Sequence, residues 1–186
     1  FLHQERDFVD FNIQRTLPHK FSEYGPAVAV ADQNGDGLDD LLISGSKDFG
    51  QVQFLQRADG TFQKQQLSLK QVNDQEDSGI LFFDADNDGD NDLYLARGSG
   101  QFNRNSPLYQ DAFYENDGDG NFTYIERALP KIPANATCVK AADIDADGDL
   151  DLFIGGGVAP SAYPFSDRSF LLRNDSRAGQ IRFKDI

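Results

Sequence analysis

Methionine is absent, cysteine occurs once, histidine twice, and 17 Lys and Arg face 31 Asp and Glu. Each shortage removes a class of explanation. The single Cys138 cannot form an intramolecular disulfide, so a cysteine-stapled scaffold is excluded and the compartment is left open. It lies in an apolar run and reads as a small buried thiol, not a nucleophile. His3 and His19 have no partner motif nearby and read as surface or packing residues. A net charge of −14 argues against nucleic acid and anionic membranes as partners. No run approaches the ~18 apolar residues of a membrane span. Nucleophile elbow, zinc motif and phosphate loop are missing too, so the residues point away from an enzyme. With no signal peptide and Phe1 as the first residue, the chain reads as an excised or processed piece of something longer.

What is present is aspartate at a fixed spacing. Asp143, Asp145, Asp147 and Asp151 occupy positions 1, 3, 5 and 9 of a nonamer with Gly148 at position 6. Side chains two apart in a tight loop converge, the glycine permits the sharp turn, and the position 7 carbonyl, of Asp149, adds an oxygen. Calcium takes six to eight such ligands. Carboxylates ~5 Å apart repel by ~3 kcal/mol at an effective dielectric of ~20, so the loop is strained without a cation. The pattern recurs at Asp84, Asp86, Asp88, Asp90 and Asp92, and at Asp32, Asn34, Asp36, Leu38 and Asp40, where position 7 is Asp90 and Leu38. One such nonamer is compatible with an acidic surface turn, whereas three in register indicate three calcium sites. Positions 1, 3, 5 and 9 together hold eleven carboxylates, so three Ca2+ ions offset about half of that charge. Asn34 keeps an oxygen but loses a charge, which makes loop one the expected weakest site.

Around each loop the hydrophobic pattern is that of short strands. Ala27–Ala31 runs into the first loop and Asp40–Ser44 leaves it. Gln51–Leu55, an Ala58-Asp59-Gly60 turn and Thr61–Lys64 complete the unit as a hairpin. The second unit reads Gly79–Phe83, loop, Leu93–Leu95, Ala112–Glu115 and Asn121–Tyr124. The third reads Thr137–Ala141, loop, Leu152–Ile154, Ser169–Leu172 and Gln180–Phe183. Loops beginning at 32, 84 and 143 recur with periods of 52 and 59 residues, which suits an all-β propeller or related array of four-stranded antiparallel blades. We divide the chain into 1–26, the tail of a preceding blade or a linker, and blades at 27–78, 79–136 and 137–186.

Position 12 of the loops holds Ile43, Leu95 and Ile154, where a helical EF-hand needs a bidentate Glu. Nonapeptide solenoids and disulfide-linked calcium repeats are excluded by period and by cysteine count. The run of small apolar strand, Asp-x-Asp/Asn-x-Asp-Gly-x-x-Asp, apolar strand and later Asn/Asp-Gly-x-Phe hairpin resembles the FG-GAP (VCBS-type) repeat of integrin alpha-subunit propellers and many secreted bacterial proteins. Residues 31–40, 150–156, Tyr163-Pro164 and Leu171–Asp175 are close to the bacterial form, and the resemblance covers 27–186. It implies a calcium-stabilised propeller, usually of about seven blades, on a cell-surface, periplasmic or otherwise exported protein. Three units do not close such a ring. Either this is a fragment, or open blade edges pair between chains and invite self-association.

The expected function is a noncatalytic extracellular recognition or adhesion module, and the alternative is a lectin-like, carbohydrate-binding part of a polysaccharide-acting enzyme. Units two and three carry insertions, 97–111 and 155–168, between their second and third strands. Strand alternation puts these at the end opposite the calcium loops. They read equally as plain surface loops or as the site for a protein or glycan ligand, with Tyr109, Tyr163, Phe165, Arg104 and Arg168 as contacts. Sequons at Asn121, Asn135 and Asn174 fall at or near turns.

Overall fold

The computed structural model describes residues 1–69, 74–177 and 179–186. Among the described residues, twelve strands form three four-stranded antiparallel sheets, each a meander in chain order. The first blade is β1 (Val28–Ala31), β2 (Asp40–Ile43), β3 (Val52–Gln56) and β4 (Phe62–Gln66). The second is β5 (Asp77–Phe83), β6 (Asp92–Arg97), β7 (Ala112–Glu115) and β8 (Thr123–Tyr124). The third is β9 (Ala136–Ala142), β10 (Asp151–Gly156), β11 (Phe170–Asn174) and β12 (Phe183–Asp185). This is a partial, propeller-like arrangement of blades, and the first strands β1, β5 and β9 lie next to one another. The second and third blades begin at Asp77 and Ala136, slightly before the boundaries read from the sequence, because their first strands extend past the apolar run. The end of blade one at 70–73 lies outside the described residues. The last strand starts at Phe183 instead of Gln180, since Gln180 is bridged to Arg177 instead of to the blade.

Blade two is buried on both sides, and the alternation of β6 shows how. Leu93 and Leu95 point to one face and pack with Leu42, Leu67, Ala112 and Tyr114 at the join with blade one. Tyr94 and Ala96 point the other way, into a cluster with Phe83, Phe113, Leu152, Ile154, Leu172 and Phe183 at the join with blade three. Every residue of β6 is buried, so this strand, flanked by two blades, carries an apolar run, Leu93–Ala96, between the buried Asp92 and Arg97. Val28 and Val30 of β1, by contrast, stay 55% and 56% exposed.

Residues 1–26 contribute no strand, only a 3-10 turn at Asp10–Asn12. The Phe8-Phe11 stretch does not alternate, and a strand needs period two to bury one face. The segment lies as a strap across blades one and three. Phe1 packs edge-on against Phe54, while Gln14 and Tyr163 exchange hydrogen bonds at 2.9 Å in both directions. The buried Asp10 carboxylate shapes the strap by accepting from the backbone of Phe21 and Ser22 and from the Ser22 hydroxyl.

Cys138 departs from the expected buried thiol. It is exposed, because β9 is the edge strand of its sheet and Cys138 faces away from the blade two join. The apolar run was read correctly as a strand, but alternation alone does not say which face has a neighbour. Leu152, fully buried between the blades, tests this packing against Phe153, which is 44% exposed on the same strand. Leu152→Ala is expected to cost roughly 2–5 kcal/mol in urea unfolding and Phe153→Ala well under half of that.

Candidate metal centre

Each Asp-rich nonamer is the connection between the first and second strand of its blade, so all three loops lie at one end of the sheets. Their backbones follow one plan. Position 4 is left-handed in each, at Gly35, Asn87 and Ala146, and so is position 6, at Gly37, Gly89 and Gly148. The position 1 carboxylate accepts from the position 6 amide at 2.8, 3.0 and 3.2 Å, from Gly37, Gly89 and Gly148 to Asp32, Asp84 and Asp143. These bonds wind the chain so that the odd-numbered side chains turn inward.

The donors converge most closely in the second and third loops. Among the described residues, Asp84, Asp86 and Asp88 each bring a carboxylate oxygen within 4.8 Å of the others, and so do Asp143, Asp145 and Asp151. Asp32, Asp36 and Asp40 do not gather that tightly, and Asn34 turns its amide nitrogen to Asp36 at 3.3 Å. Electrostatics follow the crowding. Burial first, and then the neighbouring Asp88 and Asp84, raise Asp86; burial and the same cluster push Asp90 to about 6. Burial raises Asp92 to about 7 despite its two backbone donors, and raises Asp40 and Asp145 as well. Oxygen-only donors, carboxylate convergence and resistance to carrying the charge alone suit a hard divalent cation such as calcium.

Position 9 has a second task that the spacing did not reveal. Asp40, Asp92 and Asp151 are at most 2% exposed. One oxygen of each accepts from the position 2 amide of its loop, at Gln33, Ala85 and Ile144 (3.2, 3.1 and 3.0 Å). The other accepts from the backbone at the end of the third strand, at Gln56, Asn116 and Asn174 (2.7, 2.9 and 2.7 Å). The carboxylate therefore ties its loop to its blade.

Two of those strand-end residues then reach across to the blade before. Asn116 donates its side-chain amide to Gln33 O and Asn91 O, both at 3.0 Å, linking loops one and two. Asn174 does the same to Ala85 O at 2.8 Å and Leu150 O at 3.3 Å, linking loops two and three. The loops also mesh directly, Asn87 with Asp149 at 2.6 Å and Asn91 with Asp32 O at 3.2 Å.

A family model described as an FG-GAP-like repeat matches the chain twice, over residues 32–95 and 84–154. The chain belongs to the FG-GAP-like repeat family. Each match begins on the first Asp of one loop and runs through the next, so the family unit holds both the loop and the strands it joins. No curated protein matches the chain. Among solved structures, a lectin of Agrocybe aegerita, described by its specific recognition of non-reducing terminal N-acetylglucosamine, aligns at 17% identity and a TM-score of 0.49. The alignment covers 88% of the FG-GAP chain and 38% of the lectin chain.

The insertions of the FG-GAP chain open at the other end of the blades, after β6 and β10. Of the five contacts expected there, Tyr109 is corrected. It is fully buried, its hydroxyl bonded to the backbone N–H and O of Phe102 at 3.0 Å, because a 3-10 turn at Pro107–Tyr109 folds it under the loop. Arg168 is exposed but engaged, pairing with Asp185 and stacking on Phe170. Arg104 and Phe165 are exposed and Tyr163 is half-buried. Two sequons are also closed to modification, since Asn135 and Asn174 are 6% and 3% exposed with their amides hydrogen-bonded, while Asn121 is exposed.

The asparagine bridge left a trace in the sequence. Glu115-Asn116-Asp117 and Arg173-Asn174-Asp175 repeat at the same place in blades two and three, but an Asn beside a turn has an ordinary local explanation. The position 6 glycines give a clean test of loop geometry. A Cβ on Gly148 meets nothing within 4 Å, so the cost of adding one is conformational alone. Gly148→Ala should lower stability by about 1–2 kcal/mol, and Gly148→Asn by less, because Asn tolerates positive φ. Urea unfolding at saturating calcium is the measurement.

Proposed function

We propose that the chain is a noncatalytic recognition or adhesion module of integrin-like propeller type, stabilised by three calcium ions and working outside the cytoplasm, at a cell surface, in a periplasm or in the medium. One observation carries the reading. Three loops with the same hydrogen-bonding plan stand at the same end of three successive blades, and each is anchored by a buried aspartate. In loops two and three the ligands are Asp84, Asp86, Asp88 and Asp92, and Asp143, Asp145, Asp147 and Asp151, with the carbonyls of Asp90 and Asp149. In loop one they are Asp32, Asn34, Asp36 and Asp40 with the carbonyl of Leu38. Bound calcium supplies positive charge and no redox or bond-breaking chemistry. The residues do the rest: they hold the oxygens inward and transmit the loop's rigidity to the third strand through position 9. The opposite end, where the insertions lie, is then free to meet a protein or glycan. The alternative, a lectin-like part of a polysaccharide-acting enzyme, is favoured by Phe165, whose ring is 73% exposed at that end and available to stack on a sugar face.

Calorimetric titration of chelator-stripped protein should count three calcium ions per chain. At ten times its dissociation constant each site is expected to add ~1.4 kcal/mol. Magnesium, which demands a tight octahedron, should add little. Asp86→Ala and Asp145→Ala should remove much of the calcium-dependent rise in melting temperature, whereas Asp59→Ala, on the exposed β3–β4 turn, should leave it. A melting temperature indifferent to calcium, or raised as much by magnesium, would overturn the metal reading.

A further inference from the structure

At the end of the blades away from the acidic loops, the strap formed by residues 1–26 walls one side of an open cavity of about 470 Å³ between blades two and three. That is the size of a small-molecule site. Glu76 lines it and is only 6% exposed, with Asn135 buried beside it. Phe21 and Tyr24 from the strap supply aromatic wall, their ring centroids 5.4 Å apart.

The hydrogen-bonding capacity of the lining leans toward acceptors. Three of its side-chain donors are spent on backbone carbonyls, Ser78 Oγ on Ala136 O at 2.7 Å, Asn135 Nδ2 on Val158 O at 2.7 Å and Thr137 Oγ1 on Gly155 O at 3.1 Å, and the uncharged hydroxyls of Ser99 and Ser166 are left. Acceptors remain. Gln101 donates to Glu76 Oε2 at 2.7 Å, and among the described residues neither Glu76 Oε1 nor Asn135 Oδ1 receives a hydrogen bond. No Lys or Arg among the described residues lines the space, and the second carboxylate there, Asp77, is already held by Arg97, Gly45 and Gln51. An anion finds no positive charge, and a neutral polyol finds only the hydroxyls of Ser99 and Ser166 as side-chain donors while leaving the Glu76 charge unpaired. A group that only donates and carries positive charge fits both the free acceptors and the ring faces.

We propose that this cavity binds a small organic cation, a protonated amine held between the Glu76 carboxylate and the rings of Phe21 and Tyr24. The proposal deepens the reading of the chain as a binding module and rests on it. The surroundings of Glu76 favour the same ligand. Burial first, and then the acids Glu5, Asp10 and Glu23, push its carboxyl up to about 8, against a smaller lowering by Lys47. Near neutral pH the empty site therefore keeps a proton that an entering ammonium displaces. Proton and amine compete for one carboxylate, so amine affinity rises as pH rises toward about 8 and levels off above it.

Calcium-loaded protein titrated calorimetrically with cadaverine, with pentanediol and acetate as controls, tests the site. Cadaverine is expected to bind saturably at one site per chain, with proton release seen as a dependence of the heat on buffer ionisation, and the controls are expected not to bind. Glu76→Gln should weaken binding by roughly tenfold or more and abolish the proton release, with thermal melting confirming the fold. Tyr24→Ala, at a side chain 59% exposed, should weaken binding roughly two- to fivefold and serves if the first variant does not fold. Absence of saturable binding, equal binding of the diol, or an affinity unchanged in Glu76→Gln overturns the proposal. Calcium stoichiometry is read separately on the same sample: protein that binds calcium but not the amine overturns the cavity site alone, and the converse overturns the metal reading alone.

Discussion

A buried carboxylate with both oxygens bonded to backbone amides organises each blade. Asp40, Asp92 and Asp151 stand where an acidic loop meets the start of the second strand, and each joins its loop to the end of the third strand. Burying a charge is expensive unless hydrogen bonds and opposite charge compensate it. Two backbone donors supply part of that compensation, and burial still raises Asp40 and Asp92. The cation proposed for the same loop would supply what is missing. The position that ties loop to sheet is thus also the one where the proposed metal would couple most tightly to the fold.

Much of this architecture was legible before any coordinates. Three nonamers in register located the loops, and the alternating runs beside them located the strands to within a few residues. Both signals are local, since loop spacing and strand period are properties of neighbouring residues. What escaped was set by distant contacts. Asn116 and Asn174 looked like turn residues, and only the adjacent blade shows that their amides reach back to Gln33 and Ala85. Tyr109 looked like a binding aromatic because its insertion has no counterpart in blade one, but the turn at Pro107–Tyr109 folds it inward. Cys138 looked buried because its strand is apolar. Period two identifies two faces and is silent on which one is covered.

The two ends of the blades divide the work. Converging carboxylates, meshing loops and asparagine bridges concentrate at one end, where they tie each blade to the next. At the other end the connections are long and irregular, and the strap from residues 1–26 crosses them to wall one side of a cavity. Its shape depends on Asp10, buried in the strap and holding Phe21 and Ser22 in place. Variation in the insertions or the strap therefore reshapes that end without touching the contacts that keep the blades in register.

The asparagine bridges also give the array a direction. Each one runs from the third strand of a blade to the loop of the blade before it, never the reverse, and blade one has Gln56 at the equivalent place. Cohesion in such an array is a nearest-neighbour property, with each interface adding to the stability of the two units it joins. Of these three, the middle blade is the one packed on both sides, and it is expected to open last. The two outer blades, each joined by a single bridge, are where amide exchange and proteolysis are expected to gain their first foothold.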